Sequence, residues 1–382
     1  MKRGLIIAFG ELFLKSEGVK RIFKKKLENN IFFVLKKEKI SFKLISLRER
    51  IFIETEDVKK AKKALKRVFG ISWISESFYS HKIDLENLFS FISQNYINWI
   101  KEKETFAVRV RIEEKIIKES KKELIEKAAK IIDRKVKLKK PGKEINIEIR
   151  KHGQFLYFKK EKGAGGLPYS SSGRVLILMS GGIDSPVASH LISKRGGECV
   201  WVHFHSFPLT SNKSIEKIKE LAKVFLKTYP KLRVYFVPFH KIQMEIKSKS
   251  SPFLRVLLYR RKMIQIAGKI AIKEKCEALA TGESLGQVSS QTLSNIAITS
   301  EISKLPILRP LISSDKEEII ETAKEIGVFD ISIKPQEDCC TLFVPKKSTG
   351  KGSLEKIKEI EKILDNKITR KEEKEAFFID FC

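Results

Sequence analysis

This 382-residue chain has few cysteines, far fewer acidic residues than basic ones, and no long apolar run. Five cysteines, an odd number scattered over a chain of this size, do not make a disulfide framework. No apolar stretch approaches the ~20 residues needed to span a bilayer, so no membrane partner is expected. The opening M-K-R-G-L-I-I-A-F-G-E carries an apolar run too short for a signal peptide and soon meets Lys15, so a cytoplasmic protein is expected. Acidic residues fall far short of basic ones, 47 Asp+Glu against 77 Lys+Arg, for a formal net charge of +30. An excess that large points to a polyanionic partner, because each phosphate neutralised releases counterions; nucleic acid is the first candidate and an anionic membrane surface the second. With 42% hydrophobic residues, the chain has enough apolar material for two or three folded domains.

One stretch organises the rest: R-V-L-I-L-M-S-G-G-I-D-S-P-V-A-S-H-L, Arg174 to Leu191. Val175 to Met179 is a short, partly branched apolar run that reads as a strand buried on both faces of a parallel sheet. Ser180, Gly181 and Gly182 break it, and from Pro186 onward Val187, Ala188, Leu191 and Ile192 recur at helical spacing. Ser185 is the expected N-cap, with Pro186 at the first helical position. A strand that delivers glycines to a helix N-terminus makes an anion site, since free backbone N–H groups and the positive end of the helix dipole meet there. No lysine follows the glycines, which excludes the Walker phosphate loop. S-G-G-x-D-S instead resembles the PP-loop of the ATP pyrophosphatases, which split ATP between the α and β phosphates. That resemblance implies that Ser180, Gly181, Gly182 and Ser185 hold the pyrophosphate and that Asp184 acts through magnesium. The plainer alternative is a turn that merely needs glycine; two hydroxyls and a carboxylate packed into six residues argue against it.

Upstream, a strand at 5–9, a basic amphipathic helix at 19–35, paired strands at 41–46 and 50–54 and a helix at 59–69 give the β-α-β-β-α order of a small ferredoxin-like domain. A second α+β unit follows, with a strand at 71–80, a helix at 84–100, a strand at 106–112 presenting Arg109 and Arg111 on one face, a helix at 121–135 and strands at 145–150 and 155–158. The lysines between Lys115 and Lys143 are read as an RNA-facing surface in preference to a solvated face. Turn-rich Lys162 to Gly173 marks the main boundary, either as a flexible joint or as a segment that folds over a nucleotide or guides an RNA end.

Beyond the glycine loop, strands at 198–204, 232–238 and 276–281 alternate with helices at 215–229, 252–273 and 316–326. This is the pattern of a doubly wound parallel sheet, whose ligands bind outside the carboxyl ends of the strands. His203 and Phe204 are positioned there to flank an adenine, with a satisfied loop histidine as the alternative for His203. Arg260 and Arg261 on the long helix either bind phosphate or pair with carboxylates. Gly282 allows close backbone approach, and Gln291 can bond a base or ribose edge. Ser314-Asp315-Lys316-Glu317 has the form of a capping box, and Gly327 ends the helix it opens.

Taken in order, G-E-L-F-L-K, R-V-F-G-I, G-G-L-P, V-L-I-L-M-S-G-G-I-D-S-P-V-A, V-H-F-H-S, Y-R-R-K-M, A-T-G-E-S-L-G-Q-V-S-S-Q-T, R-P-L-I-S-S-D-K-E-E-I-I and E-D-C-C resemble the tRNA 4-uridine sulfurtransferases, also called tRNA 4-thiouridine synthetases. The likeness runs over nearly the whole chain. It implies an α/β multidomain protein: an N-terminal ferredoxin-like domain at 1–57, an α+β THUMP domain that binds tRNA at 58–161, a linker at 162–173 and a C-terminal PP-loop ATP pyrophosphatase catalytic domain at 174–382. It carries nucleotide contacts onto Leu178, Met179, His203, Phe204, Arg260, Gly282 and Gln291, and catalytic importance onto Asp184 and Lys316. The implied reaction uses ATP and Mg2+ to adenylate O4 of uridine 8 in tRNA, after which persulfide sulfur replaces the activated oxygen. A carbonyl oxygen is a poor leaving group and AMP a good one; Lys316 would stabilise the charge that develops.

Within E-D-C-C, the likeness aligns Cys339 with the family's sulfur-carrying cysteine and leaves Cys340 as an adjacent thiol, two small buried hydrophobes being the competing reading. Cys199 and Cys276 lie in apolar strands and are expected in the core; nothing in its context favours a role for Cys382. Some relatives carry a C-terminal rhodanese domain, for which the roughly forty residues after Cys340 are too few. Sulfur is therefore expected directly from a cysteine desulfurase or another donor. A second role, passing sulfur to a carrier protein for the thiazole of thiamine, leans on the rhodanese part and is the weaker expectation. A homodimer stays open. The competing functions are a non-catalytic tRNA-binding module and another PP-loop tRNA-modifying enzyme.

Overall fold

A computed structural model describes residues 1–10, 16–113, 116–335, 339, 343 and 350–382. Two compact units divide the chain, Met1–Pro168 and Tyr169–Cys382.

The first unit opens with β1 (Lys2–Phe9), α1 (Glu17–Lys37), β2 (Lys43–Ser46), β3 (Ile51–Glu54), α2 (Val58–Leu65) and β4 (Ile71–Ser80). It continues with α3 (Leu85–Trp99), β5 (Phe106–Ile112), α4 (Lys121–Ile131), β6 (Lys143–Arg150), β7 (Gly153–Tyr157) and β8 (Glu161–Lys162). All eight strands join one sheet in the order β2-β3-β1-β4-β7-β6-β5, with β8 beside β4. Period-two alternation assigns the faces. Leu5, Ile7, Ile51, Ile53 and Ile74 form one core with α1 and α2, and Ile145, Ile147, Ile149 and Leu156 another with α3 and α4. The intervening residues Ile6, Phe52, Tyr79, Phe155 and Tyr157 build a separate aromatic cluster. Glu148 is buried beside it, ion-paired to Arg50 at 3.1 Å and accepting from Tyr157 Oη at 3.1 Å. Arg109 and Arg111 stand exposed on β5, as the alternation predicts.

β4, expected to open the second α+β half, pairs with β1 along its length and with β7 through its last four residues. One strand therefore completes the first half and starts the second. Such double duty is set by pairing partners far away in sequence, and no local pattern announces it.

The second unit comprises β9 (Arg174–Leu178), α5 (Asp184–Lys194), β10 (Glu198–His205), α6 (Lys213–Phe225), β11 (Leu232–Pro238), α7 (His240–Lys249) and α8 (Arg255–Lys273). Then come β12 (Ala278–Ala280), α9 (Leu293–Ser300), β13 (Ile307–Leu308), α10 (Lys316–Glu325), α11 (Phe329–Ser332), α12 (Leu354–Ile363), α13 (Asn366–Glu375) and β14 (Phe377–Phe381). The sheet order is β13-β12-β9-β10-β11-β14, parallel throughout except for antiparallel β14. Leu176, Val200 and Val202 pack into one core with Ile242 and Ile246 of α7 and Leu257, Leu258 and Ile266 of α8. Each such side chain, fully buried, contributes roughly 1.5–3 kcal/mol. Trp201 faces the other way, edge-on to Phe225 of α6, with its indole N–H donating to Ser189 Oγ of α5 at 2.9 Å. This is the expected doubly wound sheet. Strands β10 and β11 extend it to one side of β9, whereas β12 and β13 extend it to the other, so the topological switch point lies between β9 and β12. Among the described residues, no helix is long and apolar enough to cross a membrane.

Candidate active site

The loop after β9 occupies that switch point. Gly181 has φ +81°, a left-handed conformation that only glycine adopts at little cost. α5 begins at Asp184, earlier than expected, and Ser185 is not its N-cap: Ile183 holds that position without a side-chain bond. Ser185 Oγ instead accepts from the Ser180 backbone N–H at 3.1 Å and lies 3.2 Å from Ser180 Oγ, which accepts from the Gly182 N–H at 3.3 Å. The loop's own amides thus claim the hydroxyl that a cap would have used. Pro186 falls in the first turn all the same, where a missing N–H costs no intrahelical bond. A helix N-terminus directs its first-turn N–H groups and the positive end of its dipole outward, so this end of α5 suits an anion and is the candidate cradle for one.

Residues after β12 close on the cradle. A Cβ on Gly282 would stand 2.8 Å from both Asp184 C and Ser185 N, so only glycine permits this approach. The Asp184 carboxylate accepts from Lys316 Nζ at 2.6 Å and from Gln287 Nε2 at 3.0 Å. Lys316 is the first residue of α10, whose cap is Asp315, accepting from Glu318 N–H at 2.9 Å, one residue beyond the Ser314 that the capping-box pattern suggested. Next to Gly282, buried Glu283 pairs with Arg260 at 2.7 Å and Arg309 at 2.7 Å, and accepts from Thr281 Oγ1 at 2.9 Å.

These elements line an open cavity of about 340 Å3. Leu178, Met179, Ser180, Gly182, Asp184, Ser185, Phe204, Arg260, Gly282, Gln291 and Cys339 all line it. Of the expected site residues, Gly181, His203 and Lys316 do not. Lys316 reaches the site through Asp184. His203 is buried, with Nδ1 2.8 Å from the Met179 carbonyl and its ring edge-on to Phe236. Burial pushes its pKa down to about 4, so the ring is neutral near pH 7. A carbonyl can only accept, hence Nδ1 carries the proton. The alternatives left open for the arginines divide between them. Arg260 lines the cavity while paired with Glu283, whereas buried Arg261 pairs with Glu361 at 2.8 Å and Glu301 at 3.0 Å.

Cys339 is nearly buried at the cavity. Glu337, Asp338 and Cys340 lie outside the described residues. Cys199 and Cys276 are core residues, their thiols pushed up to about 11 and about 12 by burial. Cys382 is exposed; it follows Phe381, which pairs with Leu232 at the amino end of β11, the end of the sheet away from the cavity.

Glu283 and Gln287 also line the cavity; both lie within A-T-G-E-S-L-G-Q-V-S-S-Q-T, but neither was singled out as a site residue. Two arginines on other elements, each needing a carboxylate, were a further pointer to Glu283.

Residues 170–365 match the family described as Thiamine biosynthesis protein (ThiI), residues 4–75 its ferredoxin-like domain and residues 84–159 the THUMP domain. A "Probable tRNA sulfurtransferase" of Caldanaerobacter subterraneus subsp. tengcongensis is 40% identical over 373 residues, 96% of each chain. One from Clostridium kluyveri is 37% identical over 372 residues, again 96% of each. A solved 4-thiouridine synthetase in complex with RNA, with bound ATP, matches 100% of both chains with a TM-score of 0.90 at 29% identity.

Proposed function

The chain belongs to the tRNA sulfurtransferase family, and from that premise we propose that it converts uridine 8 of tRNA to 4-thiouridine in two chemical steps. In the first, O4 of the uridine attacks the α-phosphorus of ATP and pyrophosphate leaves. Ser180, Gly181, Gly182, Ser185 and the first turn of α5 hold that pyrophosphate. Leu178, Met179, Phe204, Arg260, Gly282 and Gln291 hold the nucleotide, and His203 fixes Met179 from within the core. Lys316, a cation beside the cradle, stabilises the charge that grows on the phosphates.

Magnesium suits the donor set. It takes one or two carboxylates together with substrate phosphates and waters, and Asp184 is a single carboxylate at the phosphate cradle. When bound it would neutralise phosphate charge.

In the second step, the terminal sulfur of a persulfide on Cys339 attacks C4 and AMP departs. A thiol then attacks Cys339 Sγ, releasing thiouridine and leaving a mixed disulfide on Cys339; a second thiol reduces that disulfide and returns free Cys339, the two thiols together supplying the two electrons. A cysteine desulfurase is the proposed source of the persulfide. The basic first unit, with exposed Arg109 and Arg111, is the proposed tRNA surface. Passing sulfur to a carrier protein for thiamine thiazole synthesis has only the family's description in its favour.

The observation that carries this reading is the convergence of the phosphate cradle, the Asp184–Lys316 pair and Cys339 on one cavity. The ATP held by the 4-thiouridine synthetase of like fold supports it. A tRNA-binding module with a vestigial site would have no need of that convergence.

The test supplies protein with ATP, magnesium, cysteine, a cysteine desulfurase and tRNA transcripts carrying uridine or cytidine at position 8. Thiouridine absorbance and pyrophosphate are expected with uridine only. Pyrophosphate without thiouridine would keep the activation step and overturn the donor; neither product from bound tRNA would overturn the enzyme reading.

A further inference from the structure

α7 bears a glutamine that the site above does not use. Gln243 is completely buried, and both ends of its amide are engaged. Oε1 accepts from Ser206 Oγ at 2.6 Å, and Nε2 donates to the Cys339 carbonyl at 2.6 Å. The amide can sit only one way round: the carbonyl must receive the NH2 edge, whereas a serine hydroxyl can donate or accept. Ser206 directly follows β10, whose Phe204 lines the cavity. The glutamine therefore ties the cysteine's main chain to the strand end that forms the cavity wall. Phe343, the other described residue between 336 and 349, is fastened by α7 and α8. Its carbonyl accepts from Arg255 Nη1 at 2.7 Å, and Lys247 Nζ stands 4.2 Å over its ring. A buried amide costs free energy unless each polar end is met, and an aliphatic side chain would fill the space without that demand.

We propose that Gln243 is a positioning residue for the sulfur-transfer step, holding Cys339 by its carbonyl so that the thiol stays at the edge of the nucleotide cavity. The proposal rests on the reading of Cys339 as the sulfur carrier. It assigns Gln243 no part in ATP activation, so the two half-reactions should separate in its variants.

The experiment compares Gln243→Leu, Gln243→Glu, Ser206→Ala and Cys339→Ser with the unaltered protein. Gln243→Glu keeps the acceptor for Ser206 but sets an oxygen against the Cys339 carbonyl; Ser206→Ala leaves the Cys339 bond in place. Expected for both Gln243 variants is tRNA-dependent pyrophosphate release within about twofold of normal, with kcat for thiouridine down roughly 10- to 100-fold and KM for tRNA unchanged. Ser206→Ala loses less. Alkylation of Cys339, scored by mass spectrometry against exposed Cys382 in the same sample, changes severalfold in Gln243→Leu; a role in packing alone would not separate these readouts. Thiouridine formation that follows pyrophosphate release in both Gln243 variants overturns the proposal, as does loss of ATP binding in both, which would make the residue a packing element. Full thiouridine formation by Cys339→Ser means that the sulfur-carrier reading itself has failed.

Discussion

Gly282→Ala puts the contact between the β12 loop and α5 to the test. The added Cβ would lie 2.8 Å from Asp184 C and Ser185 N and 3.1 Å from Asp184 Cβ. Ordinary contact begins near 3.4 Å, so something must yield by about 0.6 Å. The obstructing atoms are main chain and the root of a side chain, with no flexible tip to swing aside. Gly282 does not have a left-handed φ, so the effect is steric alone. Overpacking of this kind costs about 1–3 kcal/mol. The strain falls on the first turn of α5, the proposed anion cradle. If ATP binding restores the native arrangement there, affinity falls roughly 5- to 150-fold, at tenfold per 1.4 kcal/mol. Calorimetric titration with ATP and magnesium measures it, with thermal unfolding as a control for global damage. An ATP affinity within about twofold of the parent, with unchanged melting, would refute the close approach as the reason for glycine.

Three further outcomes are expected. Glu283→Gln leaves Arg260 and Arg309 without their shared carboxylate, and denaturant unfolding should register a loss of about 3 kcal/mol; a loss within experimental error would mean that the arginines find other partners. Burial holds His190, His203 and His205 near a pKa of about 4, below the ordinary 6.5, so the unfolded chain binds protons that the folded chain does not. Stability of the second unit should then decline as pH falls from about 6.5 toward 4, with a slope approaching 1.4 kcal/mol per pH unit for each histidine, and His203→Asn should flatten it; a pH-independent midpoint between pH 7 and 5 would contradict this. Iodoacetamide at pH 8 should label Cys382 promptly and Cys199 and Cys276 only after unfolding, because burial raises both thiols to about 11 and about 12; prompt labelling of either in the folded protein would show that its strand end opens.

Much of the second unit was legible because its signals are local. The strand, glycine turn and helix around Ser180–Ser185 each carry their own period, and Gly327 ends α10 with φ +74° as expected. Where two local rules compete, the sequence misleads: serine before proline is a strong cap signal, yet the loop amides of Ser180 and Gly182 recruit the hydroxyls first. Elements held by distant partners were silent. β14 follows two charged helices and gains its place by antiparallel pairing with β11, with Phe377 stacked on Phe236 and Arg233 bound to Asp380 at 2.7 Å. α7 has only a weak apolar stripe, and the Gln243 amide it carries bonds residues 37 and 96 positions away. The same holds for Lys316, whose bond to Asp184 spans 132 positions and has no trace in either local pattern.

The central claim is that activation and sulfur transfer are separate steps served by one cavity, with Cys339 needed only for the second. It is tested most directly with ATP labelled at the α-phosphate, uridine-8 tRNA, a cysteine desulfurase, and Cys339→Ser beside the unaltered protein. The unaltered protein should release one labelled AMP for each thiouridine formed. Cys339→Ser should release pyrophosphate and leave the label covalently on tRNA, with no thiouridine. Thiouridine from Cys339→Ser, or thiouridine formed without release of AMP, would contradict the account.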